Sequence, residues 1–167
     1  MCAPDRSLVN ATAADERWMD EALDEARAAS AAGEVPVGAL IVRDGEVLAR
    51  AGNRTVRDQD PTAHAEAIVI RAAAAALENW RLDGCALYVT LEPCAMCAGA
   101  IVLARIDRVV FGAWDAKAGM VGSIADLLRH PRLNHRPQVL AGVRGDESAA
   151  LLTKFFESRR SAAVRGD

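Results

Sequence analysis

The order of apolar and polar positions along the chain predicts a regular succession of helices and strands. From Glu16 to Ala32, apolar side chains recur at helical spacing and acidic residues fill the opposite face, which indicates an amphipathic helix that ends at Gly33. Val37 to Val42 is continuously apolar, as is typical of a buried strand, and Asp44-Gly45 favours a hairpin turn. The pattern therefore opens with a helix and a two-stranded hairpin.

The rest of the pattern alternates between strands and helices, as in α/β domains. It comprises a strand from Glu46 to Gly52, a polar loop from Asn53 to Thr62, a helix from His64 to Glu78, a strand from Cys85 to Leu91, a helix from Cys94 to Ala104, a strand from Ile106 to Gly112, a glycine-rich loop from Ala113 to Gly122, a short helix from Ser123 to Arg129, a strand from Gln138 to Val143 and a helix from Asp146 to Arg160. Strands joined through a helix pair in parallel by a right-handed crossover, so we expect parallel strands beside the hairpin.

Length and composition fit a single soluble α/β domain. The chain has 167 residues, and its longest apolar run, Cys94 to Ala104, is too short to span a bilayer. We expect a mobile arm over residues 1–15, one domain over residues 16–160 and a tail over residues 161–167. The first residues have neither the apolar core of a secretory signal nor the basic character of a transit peptide, so we expect a cytoplasmic protein.

The charge of the chain is unevenly distributed. The net charge is −3, but acidic residues are concentrated before Val35 and the remainder is slightly basic. The stretch from Arg129 to Arg136 holds three arginines and two histidines without an acid, and the last helix ends in Arg159 and Arg160. These patches are compatible with contacts to RNA phosphates and equally with an ordinary solvated surface.

Two short segments, PTAHAEA and TLEPCAMC, hold residues at spacings that indicate a metal site. Cys94 and Cys97 are three residues apart, so both fall on one face of the first turn of a helix, and Pro93 suits the start of that helix. With His64 they would fill three corners of a zinc tetrahedron. Three protein ligands leave the fourth position open to water, which is typical of catalytic zinc.

Glu66 lies two residues beyond His64 and so points in a different direction. We assign it proton transfer. Two thiolates neutralise the charge of Zn²⁺, so water there is harder to ionise than at a cationic three-histidine site, and a nearby general base offsets this.

Other interpretations of the motif remain open from the residues alone. A C-x-x-C pair is also found in redox proteins, which would leave His64 and Glu66 without a role, and in structural zinc sites, which need a fourth ligand. Cys85 is the nearest candidate for that ligand.

Polar and aromatic residues near the motif are candidates for substrate contacts. Asn53 would hydrogen-bond a substrate ring or only stabilise a turn. Trp114 and Asp115 would form a wall of the pocket or only cap the glycine-rich loop. On the last helix, Leu151, Leu152, Phe155 and Phe156 are spaced to face the core, although one of the phenylalanines would also suit contact with a nucleobase.

The strings GNR, DPTAHAE, NWRL, LYVTLEPCAMCAGA, RVVFGA, DAK and NHR, in this order, closely resemble the bacterial tRNA-specific adenosine deaminases over Glu16 to Arg160. The resemblance implies a three-layer α/β/α fold of the cytidine deaminase type with a five-stranded mixed sheet. It implies a homodimer with one Zn²⁺ per subunit and the conversion of adenosine to inosine at the wobble position of a tRNA anticodon, with arginine tRNA as the expected substrate.

The resemblance also implies roles for individual residues. His64, Cys94 and Cys97 match the zinc ligands, and Glu66 matches the residue that moves protons from water to adenine N1 and to the departing ammonia. Residues expected to contact the tRNA are Asn53, Ala65, Trp114, Asp115, Phe156, Arg159, Arg160 and the basic stretch from Arg129 to Arg136.

Two further hypotheses are a deaminase of free guanine or cytosine and a zinc-stabilised RNA-binding module. Asp60 and the basic last helix favour tRNA over a free base.

Overall fold

The computed structural model describes residues 11–164. Its elements, in chain order, are α1 (Ala13–Ala31), β1 (Gly38–Arg43), β2 (Glu46–Gly52), α2 (Thr55–Asp58), α3 (Ala65–Ala76), β3 (Ala86–Leu91), α4 (Ala95–Ala104), β4 (Arg108–Ala113), β5 (Gln138–Ala141) and α5 (Gly145–Val164). Over these residues, no helix is both long and apolar enough to cross a membrane.

The five strands form one mixed sheet in the order β2-β1-β3-β4-β5. β1 is antiparallel to β2 and β3, whereas β3, β4 and β5 are parallel. The hairpin turns at Asp44 and Gly45, which both have positive φ, the conformation that lets a two-residue turn follow the twist of its strands. The prediction of a five-stranded mixed sheet is confirmed.

Successive residues of the central strands point to opposite faces, and a different helical layer covers each face. Leu40, Tyr88 and Val110 face one side, where they pack with Trp18 and Met19 of α1. On the other side, the buried cluster includes these residues of the strands, α3 and α4: Ile41, Val89, Phe111, Val69 and Ile101. The result is the predicted three-layer α/β/α arrangement.

The parallel strands give the sheet two distinct ends. The site end is formed by the C-terminal ends of β3 and β4, at Leu91 and Ala113, and the far end by their first residues, Ala86 and Arg108. α5 begins beside the site end, where Ser148 lies against Gly112, and Arg159 near its other end donates a hydrogen bond to the carbonyl of Gly33.

The first helix begins earlier than predicted. It starts at Ala13, not Glu16, because Thr12 and Asp15 form a capping box. Asp15 is fully buried at the far end, where it accepts hydrogen bonds from Arg108 Nη1 (2.6 Å) and Tyr88 Oη (2.9 Å). The predicted arm therefore does not include residues 13–15, and residues 1–10 lie outside the described part of the chain.

Three further predictions of secondary structure were wrong in part. The predicted helix from Ser123 to Arg129 is a series of turns, because Val121 bridges to Asp126 and the Ser123 N–H donates to the Glu92 side chain. The polar loop after β2 contains the short α2. The last helix runs on to Val164, into the predicted tail, whose final residues, 165–167, are not described.

Candidate metal centre

The two predicted metal-binding segments meet at the site end of the sheet. His64 is the residue that precedes α3, and Cys94 precedes α4, both with extended backbone conformations, and Cys97 lies in the first turn of α4. Helix N-termini stabilise negative charge and so favour thiolates. The fold thus presents all three side chains where a cation can be held.

The geometry of these side chains fits zinc. His64 Nδ1 lies 3.6 Å from both Cys94 Sγ and Cys97 Sγ. Tetrahedral bonds of about 2.0 Å to nitrogen and 2.3 Å to sulfur place the two ligand atoms roughly 3.6 Å apart. The sequence indicated the histidine but not that Nδ1 faces the sulfurs.

Within the described residues, no fourth histidine, cysteine or acid joins this group. Cys85, the candidate fourth ligand of a structural site, is buried at the far end of β3, six strand residues away from the turn that carries Cys94. The cluster therefore has the three-ligand composition of catalytic zinc sites.

The thiols and the imidazole share hydrogen bonds that shift their pKa values. Hydrogen bonds from Cys97 and His64 lower the pKa of Cys94 to about 3. The hydrogen bond with Cys94, together with burial, raises the pKa of Cys97. The hydrogen bond to Cys94 also raises the pKa of His64. A cation between these groups replaces the shared proton and favours both thiolates.

Glu66 is buried in the first turn of α3, beside the cluster. Burial raises the pKa of its carboxyl group, and a backbone N–H and the nearby His64 act in the opposite direction. A carboxyl group with a raised pKa holds a proton more readily, which suits a group that accepts and returns one.

Asn53 fastens the start of α3. Its Oδ1 accepts a hydrogen bond of 2.8 Å from the Ala65 N–H, which has no partner within the helix. Asn53 Nδ2 makes no hydrogen bond to any described residue. The N–H of Ala65 is hydrogen-bonded to Asn53, and the Ala65 side chain is buried. The substrate contact of Ala65 stays a prediction, and its N–H is not free to make that contact.

Trp114 and Asp115, the predicted wall of the pocket, lie beyond β4, and the cavity that Trp114 lines is formed with the start of α5 and not with the metal ligands or Glu66. Trp114 is 44% exposed, packs edge to face against Phe111 with ring centroids 4.8 Å apart, and lines an open cavity of about 610 Å³ with Gly112, Gly142 and Arg144. The Asp115 carboxylate accepts from the N–H groups of Lys117 and Ala118, so it caps a turn.

The predicted contacts on α5 differ in accessibility. Phe155 is buried, whereas Phe156 is 45% exposed and packs edge to face against Phe155, so the expectation that Phe156 faces the core was wrong. Arg160 is exposed. Arg159 is engaged with the Gly33 carbonyl and stacks over Phe155.

The basic stretch from Arg129 to Arg136 does not form one surface at the site. Arg129 pairs with Asp126 and donates to the Val121 carbonyl. His135 contacts the Ile106 carbonyl at 2.6 Å, and Arg136 lines a cavity at the far end of the sheet. The stretch leads from the site end to the far end.

Two buried acids near the site were given no role from the sequence. Glu34 accepts from the N–H groups of Val56 and Arg57 and so holds α2, which follows Asn53. Glu92 accepts from the loop after β4. The only signal in the sequence for these two acids is their position, next to a glycine for Glu34 and directly after a buried strand for Glu92. The residues that donate to them lie more than 20 positions away.

Comparison with known proteins agrees with the fold and the cluster. Residues 12–113 match the family of the cytidine and deoxycytidylate deaminase zinc-binding region. The fold and its three-ligand cluster are thus those of a zinc-binding deaminase of the cytidine deaminase class.

Particular relatives narrow this class. The tRNA-specific adenosine deaminase of Bacillus subtilis is 50% identical over 87% of this chain and 91% of its own. A solved structure from a study of A-to-I editing by tRNA:A34 deaminases at the wobble position shares 51% identity over 81% of this chain and 99% of its own, with a TM-score of 0.79. Guanine deaminase from Nitrosomonas europaea is 26% identical over 89% of this chain and 86% of its own, with a TM-score of 0.69. The chain belongs to the family of the tRNA-specific adenosine deaminases.

Proposed function

We propose that this protein is a zinc-dependent hydrolase that converts adenosine to inosine at the wobble position of a tRNA anticodon. The observation that carries the proposal is the three-ligand cluster beside buried Glu66, in a chain that is 50% identical over 87% of its length to a tRNA-specific adenosine deaminase.

In the proposed site, His64 Nδ1, Cys94 and Cys97 would hold one Zn²⁺ per chain. Zinc, when bound, supplies a Lewis acid that makes water a better nucleophile at neutral pH. Glu66 accepts one proton from the attacking water and delivers it to N1 of the adenine as C6 becomes tetrahedral. It then accepts the second proton from the new C6 hydroxyl and passes it to the amino group, which leaves as ammonia. Burial of Glu66 keeps these transfers away from bulk water.

The substrate is an adenosine in a single-stranded loop, which can enter the pocket without the loss of a base pair. In this proposal, Asn53 Nδ2 donates to the base, Trp114 and Phe156 stack on flanking nucleotides, and Arg160 meets a phosphate. Arg159 and Asp115 are bonded within the protein, so their contribution is to hold α5 and the loop in place.

We further propose a cytoplasmic homodimer that acts on arginine tRNA. Exposed apolar residues on and near α4, Met96, Leu103 and Ile124, support a surface covered by a second copy. The relatives named for tRNA support the substrate.

The test is to incubate purified protein with an arginine tRNA transcript and, separately, with free adenosine, guanine and cytosine, and to measure inosine and ammonia. We expect inosine at the wobble position alone. Xanthine or uracil with the tRNA unchanged would support the second candidate, a free-base deaminase, which the similarity to guanine deaminase favours. Binding of tRNA without any deamination would support an RNA-binding module instead.

A further inference from the structure

The loop of residues 114–123 packs against the turn that carries Cys94. The Met120 N–H donates to the Pro93 carbonyl at 2.9 Å, and Gly119 forms an antiparallel bridge with Cys94. A change in this loop therefore lies next to the metal ligands and to Trp114 at once.

The Glu92 side chain holds this loop in its observed shape. Its Oε1 accepts from the N–H groups of Val121 (2.9 Å) and Ser123 (3.0 Å). Its Oε2 accepts from the Asp115 N–H (2.9 Å) and from the Ser123 hydroxyl. Three backbone groups and one side chain of the loop thus converge on a single carboxylate.

These four donors fill the acceptor capacity of a carboxylate. Glu92 is 2% exposed, and no arginine, lysine or histidine among the described residues pairs with it. A buried carboxylate without a cation is unfavourable unless hydrogen bonds replace its hydration. All of that compensation comes from the loop, so the carboxylate and the loop conformation stabilise each other.

Glycines make room for this arrangement. A Cβ at Gly119 would lie 2.1 Å from Glu92 Oε2, so only glycine lets the carboxylate approach. A Cβ at Gly122 would lie 2.9 Å from Trp114 Cζ3, so the indole rests on the loop backbone. The same loop shape that suits Glu92 therefore fixes the position of Trp114.

We propose that Glu92 is a positioning residue for the deamination of tRNA: it orders the 114–123 loop and thereby places Trp114 against the nucleotide that flanks the reacting adenosine. This role rests on the proposed function. The carboxylate oxygens of Glu92 accept hydrogen bonds from the loop, whereas Glu66 is the residue to which we assign proton transfer.

Two substitutions attack the same contact from opposite sides. Glu92→Gln turns an amide NH₂ towards two of the four donors, and Gly119→Ala pushes the carboxylate away without a change of charge. Ser123→Ala removes only the hydroxyl bond and serves if the other variants fail to fold. The matched control is Glu46→Gln, an exposed acid in β2.

The measurements are kcat and KM on an anticodon stem-loop, zinc content, and hydrogen exchange of a peptide that covers residues 113–123. For Glu92→Gln and Gly119→Ala we expect faster exchange of this peptide, wild-type zinc content and a KM raised about tenfold, as loss of roughly one charged hydrogen bond implies. The change in kcat should be smaller, and Ser123→Ala should shift KM in the same direction by less.

Faster exchange with unchanged KM in these variants would overturn the role of Glu92, as would a loss of activity that follows only the loss of zinc. If the wild-type protein deaminates no tRNA, the proposed function is overturned. The hydrogen exchange of the loop is measured without tRNA and would be unaffected, so the two failures are distinguishable.

Discussion

Buried acids at the two ends of the sheet have different partners. At the far end, Asp15 is paired with a cation, Arg108, and with Tyr88, and the pair joins α1 to the sheet. At the site end, Glu34 and Glu92 are nearly as buried but accept chiefly from backbone N–H groups, Glu34 from α2 and Glu92 from the loop after β4. An ion pair at the far end fixes one helix, whereas carboxylates at the site end shape segments for which we propose substrate contacts.

The largest expected effect is on kcat, and it distinguishes proton transfer by Glu66 from the placement of the loop by Glu92 at the site end. Glu66→Gln removes the proton carrier and should lower kcat for tRNA deamination by about 100- to 10,000-fold. Zinc content should not change, because His64, Cys94 and Cys97 remain. Steady-state kinetics and metal analysis check this, with Glu46→Gln as the control. A variant that keeps near wild-type kcat would show that another group moves the proton.

At the far end, the expected effect is on stability and not on activity. Asp15→Asn leaves Arg108 without its charged partner and should lower the free energy of unfolding by roughly 2 kcal/mol. Denaturant unfolding measures this, and kcat should stay within about twofold of wild type. Asp24→Asn on the same helix, whose partner Arg27 is exposed, should change stability by less than about 0.5 kcal/mol. Equal losses in the two variants would contradict the comparison.

The contribution of Asp15 should depend on pH in one direction. Burial acts to raise its pKa, but the hydrogen bonds from Arg108, Thr12 and Tyr88 outweigh this and hold the pKa well below the usual 3.8. Stability from a lowered pKa is present above the unfolded value and is lost as pH falls below it. Unfolding measured from pH 7 to pH 3 should therefore show the gap between wild type and Asp15→Asn constant down to about pH 4 and shrinking below it. A gap that stays constant throughout would contradict this.

The smallest expected effect is on substrate binding at Phe156, and its neighbour on α5, Phe155, provides the comparison. Phe156→Ala should weaken binding of the stem-loop about fivefold through lost stacking, with little change in stability. Phe155→Ala should instead lower the free energy of unfolding by about 3 kcal/mol, because Phe155 is buried. The two variants are compared by a binding titration and by denaturant unfolding. If neither variant binds the stem-loop more weakly than the wild type, α5 is not part of the substrate surface.

Structural features that depend on residues close together in the chain were predictable from the sequence. His64, Cys94 and Cys97 come together because α3 and α4 both begin at one end of the sheet, and this order of strands and helices is visible in hydrophobic spacing. The three α/β/α layers were expected from the resemblance to the tRNA-specific adenosine deaminases.

What escaped prediction depends on partners that are distant in sequence. The turns after Gly122 look helical by local pattern, but the Ser123 N–H is bonded to Glu92, 31 positions earlier. Asp15 belonged to an acidic stretch that predicted a solvated arm until Arg108, 93 positions later, was seen to pair with it. Phe156 has helical spacing for the core, yet α5 buries a narrower face than that spacing implies.

The central claim is that one imidazole and two thiolates hold a zinc ion and leave one position for water. X-ray absorption at the zinc edge of the purified protein tests it most directly. We expect two sulfur neighbours at about 2.3 Å and one imidazole nitrogen and one further light atom at about 2.0 Å. Three or four sulfur neighbours, or a second imidazole, would show a closed site and contradict the account.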